Sequence, residues 1–137
     1  MGMKEDNKAG KKLATASMLK GKKPVSKEVE LIVTTDDNKT EEVTLVFQSI
    51  GSTAYDDLVA KHPPTKRQKE EKHTFNMDTF APELLSLTCV EPEMPVEEWQ
   101  EVWTSDAWNR GELMALVMHA IEVNSRGLEL LPPTETD

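Results

Sequence analysis

Three histidines, one cysteine and several adjacent carboxylates are the residues of this chain with reactive potential. His62 precedes Pro63-Pro64, His73 lies in a stretch dense with Lys and Glu, and His119 falls off the apolar stripe around it. A metal ion needs converging ligands, and neither HxxxH nor CxxC occurs. Cys89 stands in an apolar run without a neighbouring His or Lys to stabilise a thiolate. It reads as a small buried hydrophobe, not a nucleophile. Asp36/Asp37, Glu41/Glu42, Asp56/Asp57 and Glu97/Glu98 are carboxylate pairs. Acid–base work needs a sheltered pocket that drives two such pKa values apart. Adjacent acids diverge on a helix and stand in solvent in a turn, so these read as surface. GxxxxGK[ST] and GxGxxG are absent, which leaves nucleotide use unsupported. The expectation is no catalytic residue, no cofactor and no metal.

Trp99, Trp103 and Trp108 stand out in a chain with 5% aromatic residues. Trp99 and Trp103, four apart, share one face of a helix. Core packing against the segment that begins at Leu113 is the commoner fate of such a pair. The other reading is a half-exposed anchor for a protein partner, since Trp is enriched at binding hot spots. Met77, Met94, Met114 and Met118 offer adaptable contact, although filling core gaps is the commoner role of Met.

These residues depend on a small set of elements. Val29, Leu31 and Val33 alternate with Glu30, Ile32 and Thr34, and Val43, Leu45 and Phe47 alternate with Thr44, Val46 and Gln48. Period two with β-branched residues predicts strands, and Asp36-Asp37-Asn38-Lys39-Thr40 between them predicts an antiparallel hairpin over 28–48. A lone hairpin is marginal in water and must pack on helices. Helices are expected at about 52–62, 79–90, 95–104 and 109–125. Ser52 or Thr53 would cap the first, and Pro63-Pro64 would end it. Thr79 would cap the second, which places Pro82 in its first turn. Glu97 and Glu98 suit the start of the third. In the fourth, Asn109 and Glu112 have capping-box spacing, and Leu113, Leu116, Val117, Ala120 and Ile121 form the strongest stripe in the chain. The expected core is Phe47, Leu58, Phe80, Leu84, Leu85, Val102, Trp103, Leu113, Leu116, Val117 and Ile121. The fold class is α+β: an N-terminal antiparallel hairpin on a helical subdomain of about four helices. One domain covers 28–126, between a disordered basic leader, 1–27, and a flexible tail, 127–137. Within the leader a transient helix is expected near Leu13 and Leu19.

Charge is unevenly spread. The chain is −9 overall; residues 1–27 hold eight Lys against Glu5 and Asp6, and residues 77–137 hold thirteen acids against Arg110 and Arg126. Phosphate binding needs clustered Lys and Arg on the folded surface, so an acidic folded half speaks against nucleic acid. The basic leader suits an acidic surface, including that of a second copy. One cysteine permits no internal disulfide, and no apolar run approaches the ~20 residues of a membrane span. Lysines without an apolar stretch behind them are no secretory signal. The expected location is cytoplasmic, with no membrane partner.

In order and spacing, several short motifs resemble the tail assembly chaperones of long-tailed bacteriophages, above all those of actinobacteria. They are Tyr55-Asp56-Asp57-Leu58, His62-Pro63-Pro64, Phe80-Ala81-Pro82-Glu83-Leu84-Leu85, Cys89-Val90-Glu91-Pro92, Trp108-Asn109-Arg110-Gly111-Glu112 and Val123-Asn124. The resemblance spans about residues 29–125 and rests on packing motifs. It implies a protein that binds the tape measure protein in the host cytoplasm. There it keeps that protein soluble, without ATP, while the tail tube assembles, and it is absent from the mature virion. It also implies contact with the tail tube protein and, through ribosomal frameshifting, with a longer form of the chain itself. On this reading Trp99, Trp108, Met77, Met94, Met114 and Met118 bind the client, with acidic residues at the rim. A tail completion or head–tail joining protein, or an adaptor outside phages, would share the same build.

Overall fold

The computed structural model describes residues 12–128. Strands β1 (Ser26–Thr34) and β2 (Thr40–Gln48) form the expected antiparallel hairpin, in register from Ser26 opposite Gln48 to Thr34 opposite Thr40. Its loop is a tight turn with one residue in the left-handed region. The Asn38 N–H donates to the Thr35 carbonyl at 2.9 Å, the Thr35 N–H donates to the Lys39 carbonyl at 2.8 Å, and Asn38 has φ 62°. Asn tolerates that region better than most residues. The alternation reads out as one face toward the core, with Val29, Leu45 and Phe47 buried, and one face toward solvent.

Two elements were not expected. A short strand, β3 (Cys89–Glu91), pairs antiparallel with β2 at Val46 and Phe47, so the sheet has the order β1-β2-β3. The second lies in the stretch of Lys and Glu before His73. Thr65 and Gln68 cap each other reciprocally at the start of a five-residue helix, Lys66–Glu70.

The described part of the leader holds a helix, α1 (Ala16–Lys20), capped by the Thr15 hydroxyl and with no buried residue. Strand β1 begins at Ser26, so the domain starts two residues before the expected boundary. Residues 1–11 and 129–137, the outer parts of the expected leader and tail, lie outside the described residues.

After the sheet's second strand comes α2 (Ser52–Ala60), then α3 (Lys66–Glu70), α4 (Met77–Thr88), α5 (Val96–Trp103) and α6 (Arg110–Ser125). The cap of α2 is Gly51, with no side-chain bond, and neither Ser52 nor Thr53 serves. The cap of α4 is Asn76, whose side chain accepts from the Asp78 N–H; Thr79 lies inside the helix. Pro82 is therefore past the first turn and buried. It donates no hydrogen bond to the Asp78 carbonyl four residues back. Asn109 and Glu112 form the anticipated capping box of α6.

Helix α4 packs on both α5 and α6, and α6 lies across the core face of β1 and β2. Nine of the eleven expected core residues are buried; Val102 and Ile121 are half-buried at the margin of the cluster. Asn124 ties α6 to α4 and to the connection between β2 and α2. Its side-chain oxygen accepts from the Ile50 N–H at 2.8 Å, and its amide nitrogen donates to the hydroxyl of fully buried Thr88 at 3.2 Å and to the Ala120 carbonyl at 2.9 Å.

Candidate protein-binding surface

The six residues expected to meet a partner do not form one patch. Trp99 is only 3% exposed and belongs to the core. That corrects its expected role as a surface anchor: the apolar face of α5 turns inward onto α4, and Trp99 turns with it. Trp103 is buried beside it; its indole N–H points at the Asp78 carboxylate, 3.4 Å away, and the Arg110 guanidinium lies over its ring at 5.7 Å. Met94 is half-buried against the core. Met77 and Met114 do come together, in a shallow groove with Phe75, His73 and Arg110. Met118, 52% exposed, points to solvent on its own.

Trp108 stands in a second groove, of about 490 Å³, between β1 and α6. One wall is residues 29–34 of β1; the other is Trp108 with Ala115 and Leu116. The elements explain why it stays open. Strand β1 ends the sheet on one side, and α6 is tied to it at Lys27, whose ammonium pairs with Glu122 at 3.0 Å. Farther along the hairpin, Leu31 and Val33 point to the core side yet remain half-buried. Trp108, in the turn before α6, lines the same groove as they do. Glu30 and Glu112 give this apolar surface an acidic rim, and His119 closes one side.

The reactive residues fall elsewhere. Cys89 is buried, and desolvation pushes its thiol up to about 11; its S–H has the Glu91 and Pro92 carbonyls at 3.3 Å. A thiol so held stays protonated at neutral pH and is a poor nucleophile. His62 is not isolated. Its ring lies edge-on to Phe80, with Nε2 2.8 Å from a Glu83 oxygen and Nδ1 2.9 Å from the Thr79 hydroxyl. Lys61 reaches the other Glu83 oxygen at 2.6 Å and holds that carboxyl below its usual range, against the opposing effect of burial. Hydroxyl, imidazole and carboxylate in a row have the connectivity of an acyl-transfer triad. Here, however, the Thr79 hydroxyl also lies 3.3 Å from the Asn76 carbonyl, and the chain ties α2 to α4 across the Pro63-Pro64 turn. Sequence spacing had no signal for this cluster, because His62 and Glu83 are separated by a charged segment and a helix. Among the described residues no group of three or more His, Cys, Asp and Glu is placed to hold a metal ion, and no helix is long and apolar enough to cross a membrane.

No protein-family model matches the chain, and neither does a curated protein or a solved structure.

Proposed function

We propose that this chain is a protein-binding module that acts as a holding chaperone for a phage tape measure protein. The observation that carries the reading is the groove between β1 and α6, lined by Leu31, Trp108 and Leu116, with Glu30 and Glu112 also along it. A passive holdase needs apolar contact surface ringed by charge, so that it binds a sticky client and yet stays soluble. The order of short motifs through residues 29–125 supplies the client's identity. Many copies along one long client would add affinity through multivalency, with no need of ATP. The protein acts in the host cytoplasm while the tube forms and is absent from the finished virion. The tail tube protein and a frameshifted longer form of the chain are its further partners.

Coexpression tests this. A tape measure fragment should partition to the soluble fraction when the full chain is present and to the pellet when it is not, with no added ATP. Trp108→Ala should weaken the effect while circular dichroism stays native. Trp99→Ala is a poor probe of binding, because emptying a core site of this size costs about 3–5 kcal/mol. A fragment equally soluble with and without the chain, or the chain's presence at stoichiometric level in purified virions by mass spectrometry, would overturn the proposal.

A further inference from the structure

The outer edge of β1 is a row of backbone groups with no strand beside it among the described residues. Two bonds at the ends of the hairpin fix which residues face β2: Ser49 N–H to the Val25 carbonyl and Thr35 N–H to the Lys39 carbonyl, both 2.8 Å. In an antiparallel register these hydrogen-bonded pairs recur at every second residue, so the odd-numbered residues of β1 bond to β2. Glu28, Glu30, Ile32 and Thr34 therefore turn their N–H and C=O groups outward. No described strand pairs with that side, since β1 ends the sheet. The groove runs along the same strand, lined by its residues 29–34 and faced by Trp108 and Leu116. A strand edge flanked by a helix-walled apolar groove is the geometry of strand addition: main-chain bonds hold an extended segment, and alternate side chains enter the groove.

The charge of the edge limits what can enter. In β1 and β2 the solvent face carries Glu28, Glu30 and Glu42 and no Lys or Arg, and Ile32 is 67% exposed among them. Sheet edges are commonly guarded by charge against stray pairing. A guard of one sign repels acidic strands, including β1 of a second copy, and favours basic ones, because opposite charges directly across two strands stabilise and like charges do not.

We propose that the outer edge of β1 takes an extended segment of the client by strand addition, and that this segment alternates apolar residues with Lys or Arg. Its apolar side chains lie against Leu31, Trp108 and Leu116, and its basic side chains lie beside Glu28 and Glu30. The occupant rests on the holdase reading given above; the mode of docking does not.

The test uses the full chain and a fluorescent synthetic decapeptide that alternates Val and Lys. Anisotropy should show saturable binding that weakens with salt. Hydrogen exchange should slow at the amides of Glu28, Glu30, Ile32 and Thr34. Glu28→Lys with Glu30→Lys should weaken binding about tenfold, and a Val/Glu peptide should not bind. A peptide N-methylated on the residues that face β1 should also fail, because it cannot donate to the edge. Ile32→Pro removes an outward N–H and should block docking; if that variant does not fold, the double Lys variant still decides. Equal binding of the N-methylated peptide, or protection confined to other amides, would overturn the proposal. So would edge amides that are protected in the free chain and become exposed on deleting residues 1–23, since the chain's own leader would then be the occupant. Failure of the two readings is separable. A peptide that docks on a chain unable to keep the tape measure fragment soluble refutes the holdase. A fragment kept soluble equally by wild type and the double Lys variant refutes the docking mode.

Discussion

Gly51 has φ 94° and ψ 151°, a conformation essentially closed to any residue with a side chain. It turns the chain from β2 into α2, and its carbonyl accepts from the Tyr55 N–H at 3.0 Å to start the helix. A Cβ placed there would meet no atom within 4 Å. Gly51→Ala should therefore cost about 1–3 kcal/mol in urea unfolding from backbone strain alone. A neutral result would mean that the turn adapts by changing conformation. Asn124 makes the opposite kind of contribution, through its partners. Asn124→Ala strips the Ile50 N–H and the buried Thr88 hydroxyl of a partner each, at an expected cost of about 1–3 kcal/mol. Asn124→Asp should do no better. It keeps the acceptor for Ile50 but sets a carboxylate against the Ala120 carbonyl, where an N–H now donates.

At the scale of elements, α6 and β1 are joined through Glu122, which accepts from Arg126 one turn on and from Lys27 on the strand. These bonds, that of Arg126 foremost, hold its carboxyl down to about 2 from an ordinary 4.5. A carboxylate whose pKa is lowered by folding stabilises the native state above its unfolded pKa, and that contribution is lost as pH falls toward the folded value. Glu83 is lowered in the same sense, first by Lys61. Stability should thus decline as pH falls from about 5 to about 2. Glu122→Gln should be less stable than wild type at pH 7 and should lose less over that interval, as read by urea midpoints at pH 7, 5 and 3. Glu122 is well exposed, so 1 M salt should narrow the difference between the two proteins. An unchanged acid slope in the variant would show that the α6–β1 tie does not titrate. The elements themselves were unequally legible. Strict alternation announced β1 and β2, and the Asn109/Glu112 spacing with a stripe behind it announced α6. Thr65 and Gln68 have capping-box spacing too, but they stand in a run of charge with no apolar stripe behind it. Strand β3 had no signal of its own: three residues become a strand only because β2 lies beside them. The groove is hidden for the same reason, since it exists only where β1, α6 and the Trp108 turn meet. Trp99 and Trp108 look alike in sequence, and only packing separates a core residue from the wall of a groove.

At the scale of the whole molecule, packing and charge are separated along the chain. Helix α1 and the residues on either side of it, 12–24, are exposed throughout and add nothing to the core, while most of the acidic excess lies from residue 77 onward. Leu13 and Leu19 are among the most exposed large apolar residues described, next to Lys12 and Lys20. Packing therefore predicts that a chain lacking residues 1–23 unfolds with nearly the same free energy, since changes away from packed or bonded groups usually stay within about 0.5 kcal/mol. Val25 is left in place because its carbonyl and N–H both bond to Ser49. Electrostatics adds a second expectation. Removing the lysines leaves the remainder more acidic, so self-repulsion rises, and the truncated chain should stay monomeric at low salt by light scattering. A loss of about 2 kcal/mol or more would mean that the leader packs on the domain, and the boundary at Ser26 would have to move toward the N-terminus. Unchanged stability, together with dimers in the full chain that disappear on truncation, would assign the leader to contacts between copies, with the fold of each copy independent of it.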